Sequence, residues 1–289
     1  MTLNLGAIIT AMVTPFDAHG EVDEEAAVGL MEHLLEHGSD GLVLCGTTGE
    51  ASTLSDEEKI RMFRLGVEEV RPSHPGATIV AGIGSNDTRH TVELAERASE
   101  LRPDALLVVN PYYNRPSRRG IVRHFEEVSR ATDLPIVLYN IPQRTTQDMP
   151  ADLLEELAQV ENICAVKQAN PAGLRKLDGL SVYAGNDDLL ADVLELGEPG
   201  GILVASHIVG EDMHRMADEP ERRREIDAGL QDFYRGLCVV PLACAVKAAL
   251  GLLGIDVGVP RLPYVEPDRE ELETIRHLLE RHDLLATPA

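Results

Sequence analysis

The stretch Ile163-Cys164-Ala165-Val166-Lys167-Gln168 decides how this chain is read. It is apolar on both faces until its last two positions, as a strand covered on both sides of a parallel sheet should be. It then ends on an amine. Similar runs precede it at Ala7–Val13, Gly41–Cys45, Thr78–Ala81, Asp104–Asn110 and Pro135–Asn140. Two more follow, at Val182–Gly185 and Gly201–Ala205. Amphipathic stretches lie between the runs. Asp23–Glu36 places Ala27, Leu30, Met31, Leu34 and Leu35 on one face. Ser55 precedes Asp56-Glu57-Glu58, an N-cap followed by acids that suit the helix dipole. Thr88 opens the next helix with Thr91 three positions on, half of a capping box, and Pro150 starts the helix over 151–159, where proline is tolerated. Eight such strand–helix units by about residue 218 predict a closed (β/α)8 TIM barrel, an α/β fold. An open doubly wound sheet would want GxGxxG after its first strand, and Gly82-Ile83-Gly84 supplies only GxG.

From Glu221 the pattern turns helical throughout: Glu221–Leu237, Leu242–Leu253 and Asp268–Leu285. The expected organisation is a barrel over residues 1–218, carrying the active site, and a C-terminal three-helix extension over 219–289. The total of 289 residues suits a barrel of roughly 250 residues plus such an addition.

Net charge is −23, from 26 basic and 49 acidic residues. That surface repels nucleic acid and anionic membranes, so neither is expected as a partner. No run of 18 apolar residues is present, so no membrane-spanning helix is expected. The opening residues lack a basic region and a cleavage site, and read as the approach to a first strand rather than a signal peptide. A cytoplasmic protein is expected. Cys45, Cys164, Cys238 and Cys244 show no metal spacing and are expected to be buried, reduced thiols, two of them in strands.

In a barrel, chemistry sits where the strands end. The second strand ends in Gly46-Thr47-Thr48-Gly49-Glu50, the fourth in Asn110-Pro111-Tyr112-Tyr113-Asn114, the fifth in Tyr139-Asn140-Ile141-Pro142, the sixth in Lys167-Gln168 and the seventh in Gly185-Asn186-Asp187-Asp188. Lys167 is the informative residue. The other three lysines, Lys59, Lys176 and Lys247, fall on predicted helices. An ammonium in an apolar strand is costly, so its pKa drops and the neutral amine becomes a nucleophile for carbonyls. The competing reading is a lysine that reaches past the strand end or pairs with an acid such as Glu50.

Tyr139, on the adjacent strand, is either a proton shuttle for that amine or a core tyrosine with a satisfied hydroxyl. The turn at Thr47 and Thr48 offers hydroxyls and backbone N–H groups as a carboxylate cradle, although such turns are common. Arg144 could fork onto a second carboxylate or lie idle on the surface. Asn186-Asp187-Asp188 lacks a partner at metal spacing, so no metal is expected. His33 and His37 read as solvated, and His207 is ambiguous. GxSxG, Walker and HExxH motifs are absent, and no cofactor is expected.

Taken together, Thr10–Phe16 (TAMVTPF), Gly46–Glu50 (GTTGE), Asn110–Pro116 (NPYYNRP), Tyr139–Thr145 (YNIPQRT), Val166–Asn170 (VKQAN) and Gly185–Asp187 (GND) resemble the dihydrodipicolinate synthase/N-acetylneuraminate lyase superfamily from about Gly6 to Leu285. The resemblance implies that pyruvate forms a Schiff base with Lys167, and that Tyr139 is the general acid/base. It further implies that Thr47 and Tyr113 relay protons, Tyr113 being lent across a dimer interface. Thr48 would hold the pyruvate carboxylate, with Ile202 lining that pocket and Gly185 contributing to the substrate site.

Arg144-Thr145 resembles the synthase branch, which condenses pyruvate with L-aspartate 4-semialdehyde to 4-hydroxy-tetrahydrodipicolinate, a step toward lysine and diaminopimelate. The alternatives are a sibling aldolase acting on a 2-keto-3-deoxy sugar acid or N-acetylneuraminate, and a barrel kept as a binding protein without turnover. A homotetramer built from two dimers is implied. Three segments depart from the family pattern. Gln168-Ala169-Asn170-Pro171 replaces the commoner Glu-Ala-Thr-Gly. Val239–Lys247 keeps only the outline of Asn-Pro-x-Pro-x-Lys. Lysine-inhibited members carry histidine and glutamate where this chain has Lys59 and His90, so weak or absent lysine feedback is expected.

Overall fold

Eight parallel strands pair in sequence order: β1 (Ile8–Ala11), β2 (Gly41–Leu44), β3 (Thr78–Gly82), β4 (Ala105–Val109), β5 (Ile136–Asn140), β6 (Ile163–Gln168), β7 (Ser181–Ala184) and β8 (Gly200–Leu203). Pairing of β1 with β8 closes the ring. This is a computed structural model describing residues 3–285; Met1, Thr2 and residues 286–289, the outer ends of the two expected units, lie outside the described residues. Each apolar run became a strand, because only a sheet covered on both faces keeps such runs out of water. The barrel is wrapped by α1 (Glu24–Glu36), α2 (Asp56–Arg64), α3 (Thr88–Glu100), α4 (Arg118–Arg130), the short turn α5 (Pro142–Thr145), α6 (Ala151–Leu157), α7 (Leu190–Glu195) and α8 (Ser206–Asp218).

Local signals set the helix starts. Ser55 forms a full capping box with Glu58. α3 opens at Thr88 as expected, but its cap is Asp87, whose side chain accepts from the Arg89 N–H. A carboxylate meets the exposed N–H groups of a first turn better than a β-branched hydroxyl one position later. Lys176 also departs from expectation. It lies in an irregular loop after β6, where Pro171 and the turn at 178–179 break the helical pattern.

Beyond the barrel come α9 (Arg223–Leu237), α10 (Leu242–Leu252) and α11 (Arg269–Arg281). Their apolar faces share one cluster with Ile8, Ala184 and Leu203 of the barrel wall and Met213 of α8. Leu203 therefore faces outward, and Ile202, its neighbour in a strand of period two, faces the barrel interior. The link from α10 to α11 returns to the barrel, where the Phe16 N–H donates to the Val257 carbonyl at 3.1 Å and the Arg261 N–H to Glu50 at 2.9 Å. Among the described residues no single helix is long and apolar enough to cross a membrane. All four cysteines are free; Cys45 and Cys244 are buried as expected, but Cys164 is half-buried and Cys238 exposed, since the helix end carrying Cys238 faces solvent.

Candidate active site

The register of β5 and β6 sets Tyr139 directly beside Lys167. In a parallel pair, residues in register share a face, so both side chains point the same way at the strands' C-terminal ends. The Lys167 amine sits 4.5 Å from the centre of the Tyr139 ring and the residue is 4% exposed. Among the described residues no carboxylate lies at salt-bridge distance from it. Burial pulls its pKa down to about 8; the Asp187 charge opposes that fall and the Arg144 charge adds to it. The Glu50 partner that the sequence left open is not there. Glu50 pairs with Lys247 instead, at 2.7 Å.

The Tyr139 phenol is pushed up to about 12 by burial, against the Arg144 charge and the Thr47 hydroxyl, which favour the phenolate. Protonated at neutral pH, it is set up to give a proton first. Thr47 lies beyond the end of β2, on the wall of a cleft of about 500 Å³ that Tyr139, Ile141, Arg144 and Thr145 also line. Lys167 is not on the cleft wall. Its amine stands against the ring of Tyr139, which does line the cleft.

Thr48 is buried beside Thr47 in the turn after β2. Cys45 and Glu50, at the turn's two ends, both hold positive φ, 56° and 57°. Neither is glycine, and each such residue costs on the order of 1 kcal/mol. The turn is tied by the Glu50 N–H donating to the Thr47 carbonyl at 3.1 Å and by the Thr14 hydroxyl donating to the Gly49 carbonyl at 2.7 Å. Gly49 leaves no room for a side chain, since a Cβ there would lie 2.9 Å from the Met12 carbonyl oxygen.

The remaining expected residues fall in different places. Ile202 is fully buried on β8. At Gly185 the chain passes so close to the end of β6 that a Cβ would meet the Ala169 nitrogen at 2.7 Å. Arg144 is exposed on α5 at the cleft rim. Tyr113 is not brought to the other residues: it is 88% exposed, with φ of 70°, and does not line the cleft. Tyr112, its neighbour, lines that cleft instead.

Other residues take places that the sequence left unassigned. Asp187 is half-buried, and its carboxylate accepts from the Val204 and Ala205 N–H groups at 2.8 and 3.1 Å. Burial raises its pKa despite those bonds. It fixes the turn after Ile202 and is the anion that tempers Lys167; its place after a strand-ending glycine was the available signal. Tyr264 lines the cleft from the α10–α11 link, which no local pattern could have announced. Lys59 and His90 share a lobe of the cleft with Asp56 between them, the His90 ring 2.9 Å and the Lys59 amine 3.7 Å from its carboxylate. His207 is settled as structural. It accepts from the Val13 N–H at 3.1 Å and bonds the Val204 carbonyl at 2.7 Å, tying β1 to β8.

A closed parallel barrel with a buried amine and a phenol side by side at its C-terminal mouth is an enzyme architecture. The profile of the dihydrodipicolinate synthetase family matches residues 4–282. The 4-hydroxy-tetrahydrodipicolinate synthase of Desulforudis audaxviator is 40% identical, over 99% of this chain and 100% of that one. A dihydrodipicolinate synthase structure from Bacillus anthracis superposes with a TM-score of 0.90 at 34% identity, covering 100% of both chains. Another, from Cyanidioschyzon merolae with lysine bound, gives a TM-score of 0.90 at 36% identity, covering 97% of this chain and 99% of that one. The chain belongs to the dihydrodipicolinate synthetase family.

Proposed function

We propose that the chain is a class I aldolase, a lyase that condenses pyruvate with L-aspartate 4-semialdehyde to 4-hydroxy-tetrahydrodipicolinate. The observation that carries this is the buried Lys167 amine without a carboxylate partner, next to the Tyr139 phenol. The neutral amine adds to the pyruvate carbonyl. Tyr139 gives the proton that lets the carbinolamine lose water, leaving a protonated imine. That imine draws electrons as the methyl group loses a proton, and the enamine carbon attacks the aldehyde. The amino group of the semialdehyde then closes onto the imine carbon and displaces Lys167.

In this reading Thr48 holds the pyruvate carboxylate, with Ile202 and Gly185 shaping the floor. Thr47 and Tyr113 pass protons between Tyr139 and solvent. The exposure of Tyr113 supports its service to a neighbouring subunit, within a homotetramer made of two dimers. Arg144, at the rim, receives the semialdehyde carboxylate. The barrel over 1–218 carries this site and the extension over 219–289 supports it, in the cytoplasm. Lys59 and His90 make an inhibitory lysine unwelcome, so feedback is weak or absent; a large drop in rate on adding lysine would overturn that.

The test is turnover of the purified chain with pyruvate and aspartate semialdehyde, against cleavage of N-acetylneuraminate and of 2-keto-3-deoxy sugar acids. The expected result is condensation of the semialdehyde alone. Faster cleavage of a sugar acid would contradict the assignment.

A further inference from the structure

We propose that Lys247 and Arg261, both outside the barrel strands and helices, are positioning residues for the Thr47–Thr48 turn and act on it through the buried carboxylate of Glu50. The functional half of this proposal rests on the reading above, in which that turn holds the keto acid and relays protons.

The turn spends energy on its shape. Glu50 sits in the left-handed region with its side chain directed into the protein, where the residue is 1% exposed. A carboxylate there needs partners. Its Oε1 lies 2.7 Å from the Lys247 amine on α10, and its Oε2 accepts from the Arg261 N–H at 2.9 Å. Both partners come from the C-terminal part of the chain, some two hundred residues away.

They are themselves fixed. The Lys247 amine and the Arg261 guanidinium lie 4.1 and 4.3 Å from the centre of the same ring, that of Phe16. The Arg261 guanidinium also donates to the Gly20 carbonyl at 2.7 Å and the Thr53 carbonyl at 2.9 Å. It forks onto Glu58, the residue that completes the capping box of α2. Two anions and two cations thus close a neutral network beneath the turn. Four pieces of chain meet in it: the loop after β1, the turn after β2 with the start of α2, α10 itself, and the link from α10 to α11. Without the Lys247 charge, the Glu50 carboxylate is driven toward water, and the backbone at 50 relaxes to an ordinary φ. Thr48 and Thr47, two and three residues back, move with it.

The experiment uses full-length Lys247→Met, Glu50→Gln and Lys247→Arg beside the wild type. Hydrogen exchange is measured on the peptide spanning residues 46–50 and on the β6 peptide, and pyruvate kinetics are measured in parallel. In Lys247→Met and Glu50→Gln, exchange in the turn should quicken by about tenfold or more while β6 is unchanged. The kcat/KM for pyruvate should fall roughly 10- to 100-fold, as displaced groups in a site do. Lys247→Arg should restore most of both. Glu50→Gln keeps its shape and the Arg261 contact, so it carries the test if Lys247→Met does not fold. Native exchange in the turn with native kinetic constants overturns the proposal, whatever happens to the melting temperature. Absence of a pyruvate adduct in the wild type would instead reject the aldolase reading, leaving the exchange data to decide the mechanical claim.

Discussion

Lys167, at the end of β6, and Lys247, on α10, are each 4% exposed. Lys247 faces the Glu50 carboxylate at 2.7 Å. Lys167 faces a tyrosine ring at 4.5 Å. Burial lowers the pKa of both, but at Lys247 the Glu50 carboxylate works against the shift. At Lys167 burial prevails, and the group is pulled down to about 8. Burial alone therefore does not make a lysine a nucleophile. What matters is whether the fold also supplies a counter-charge in contact. The paired lysine holds the scaffold, and the unpaired one is left reactive.

Exchanging the two roles by mutation gives the largest effects. Lys167→Met should lower turnover by on the order of 10³-fold or more, with little loss of stability, because it removes the nucleophile and leaves no buried charge behind. Urea unfolding should show the reverse ranking: Lys247→Met orphans Glu50 and should cost about 3–5 kcal/mol. Equal destabilisation by the two substitutions would erase the distinction.

Arg144→Ala sharpens the same contrast from the substrate side. It should cut kcat/KM for the semialdehyde by about 100-fold while the pyruvate adduct still forms, since only the second substrate's carboxylate loses its partner. The pH dependence follows from the lowered pKa. Below about 8 the Lys167 amine is increasingly protonated, so the rate of imine formation should fall roughly tenfold per pH unit on the acid side and level off above. A flat profile from about pH 6 to about pH 9 would contradict a buried, unpaired amine.

The smallest effect lies at the opposite end of the barrel. His214 donates to Asp40 at 3.1 Å, and that bond, more than any other cause, raises its pKa to about 9. A raised histidine stabilises fully below its unfolded value near 6.5 and loses that contribution as pH climbs through about 9. The pair is partly exposed, so the loss should stay under about 1 kcal/mol. His214→Gln should remove that slope in melting temperature.

Much of the fold was legible because parallel strands covered on both faces leave long apolar runs, and all eight were visible. Lys167 and Tyr139 were legible for a related reason: a polar group ending such a run has few places to go. What stayed hidden depended on long-range packing. Nothing near Lys247 in sequence says that its amine meets Glu50; the sequence placed it only on a helix. Its burial removes the contrast by which Lys167 seemed the one interior lysine. Tyr264 and Arg261 sit in a link whose path is set by the contacts it makes on arrival. Two local readings missed a competing signal: the cap of α3 is the Asp87 carboxylate rather than Thr88, and the Pro171 break leaves Lys176 outside a helix.

The most direct measurement is to reduce the wild-type chain with borohydride in the presence of pyruvate and to map the trapped group by peptide mass spectrometry. The account predicts one adduct per chain, on the peptide carrying Lys167, with Lys59, Lys176 and Lys247 unmodified. An adduct on another lysine, or none at saturating pyruvate, would contradict it.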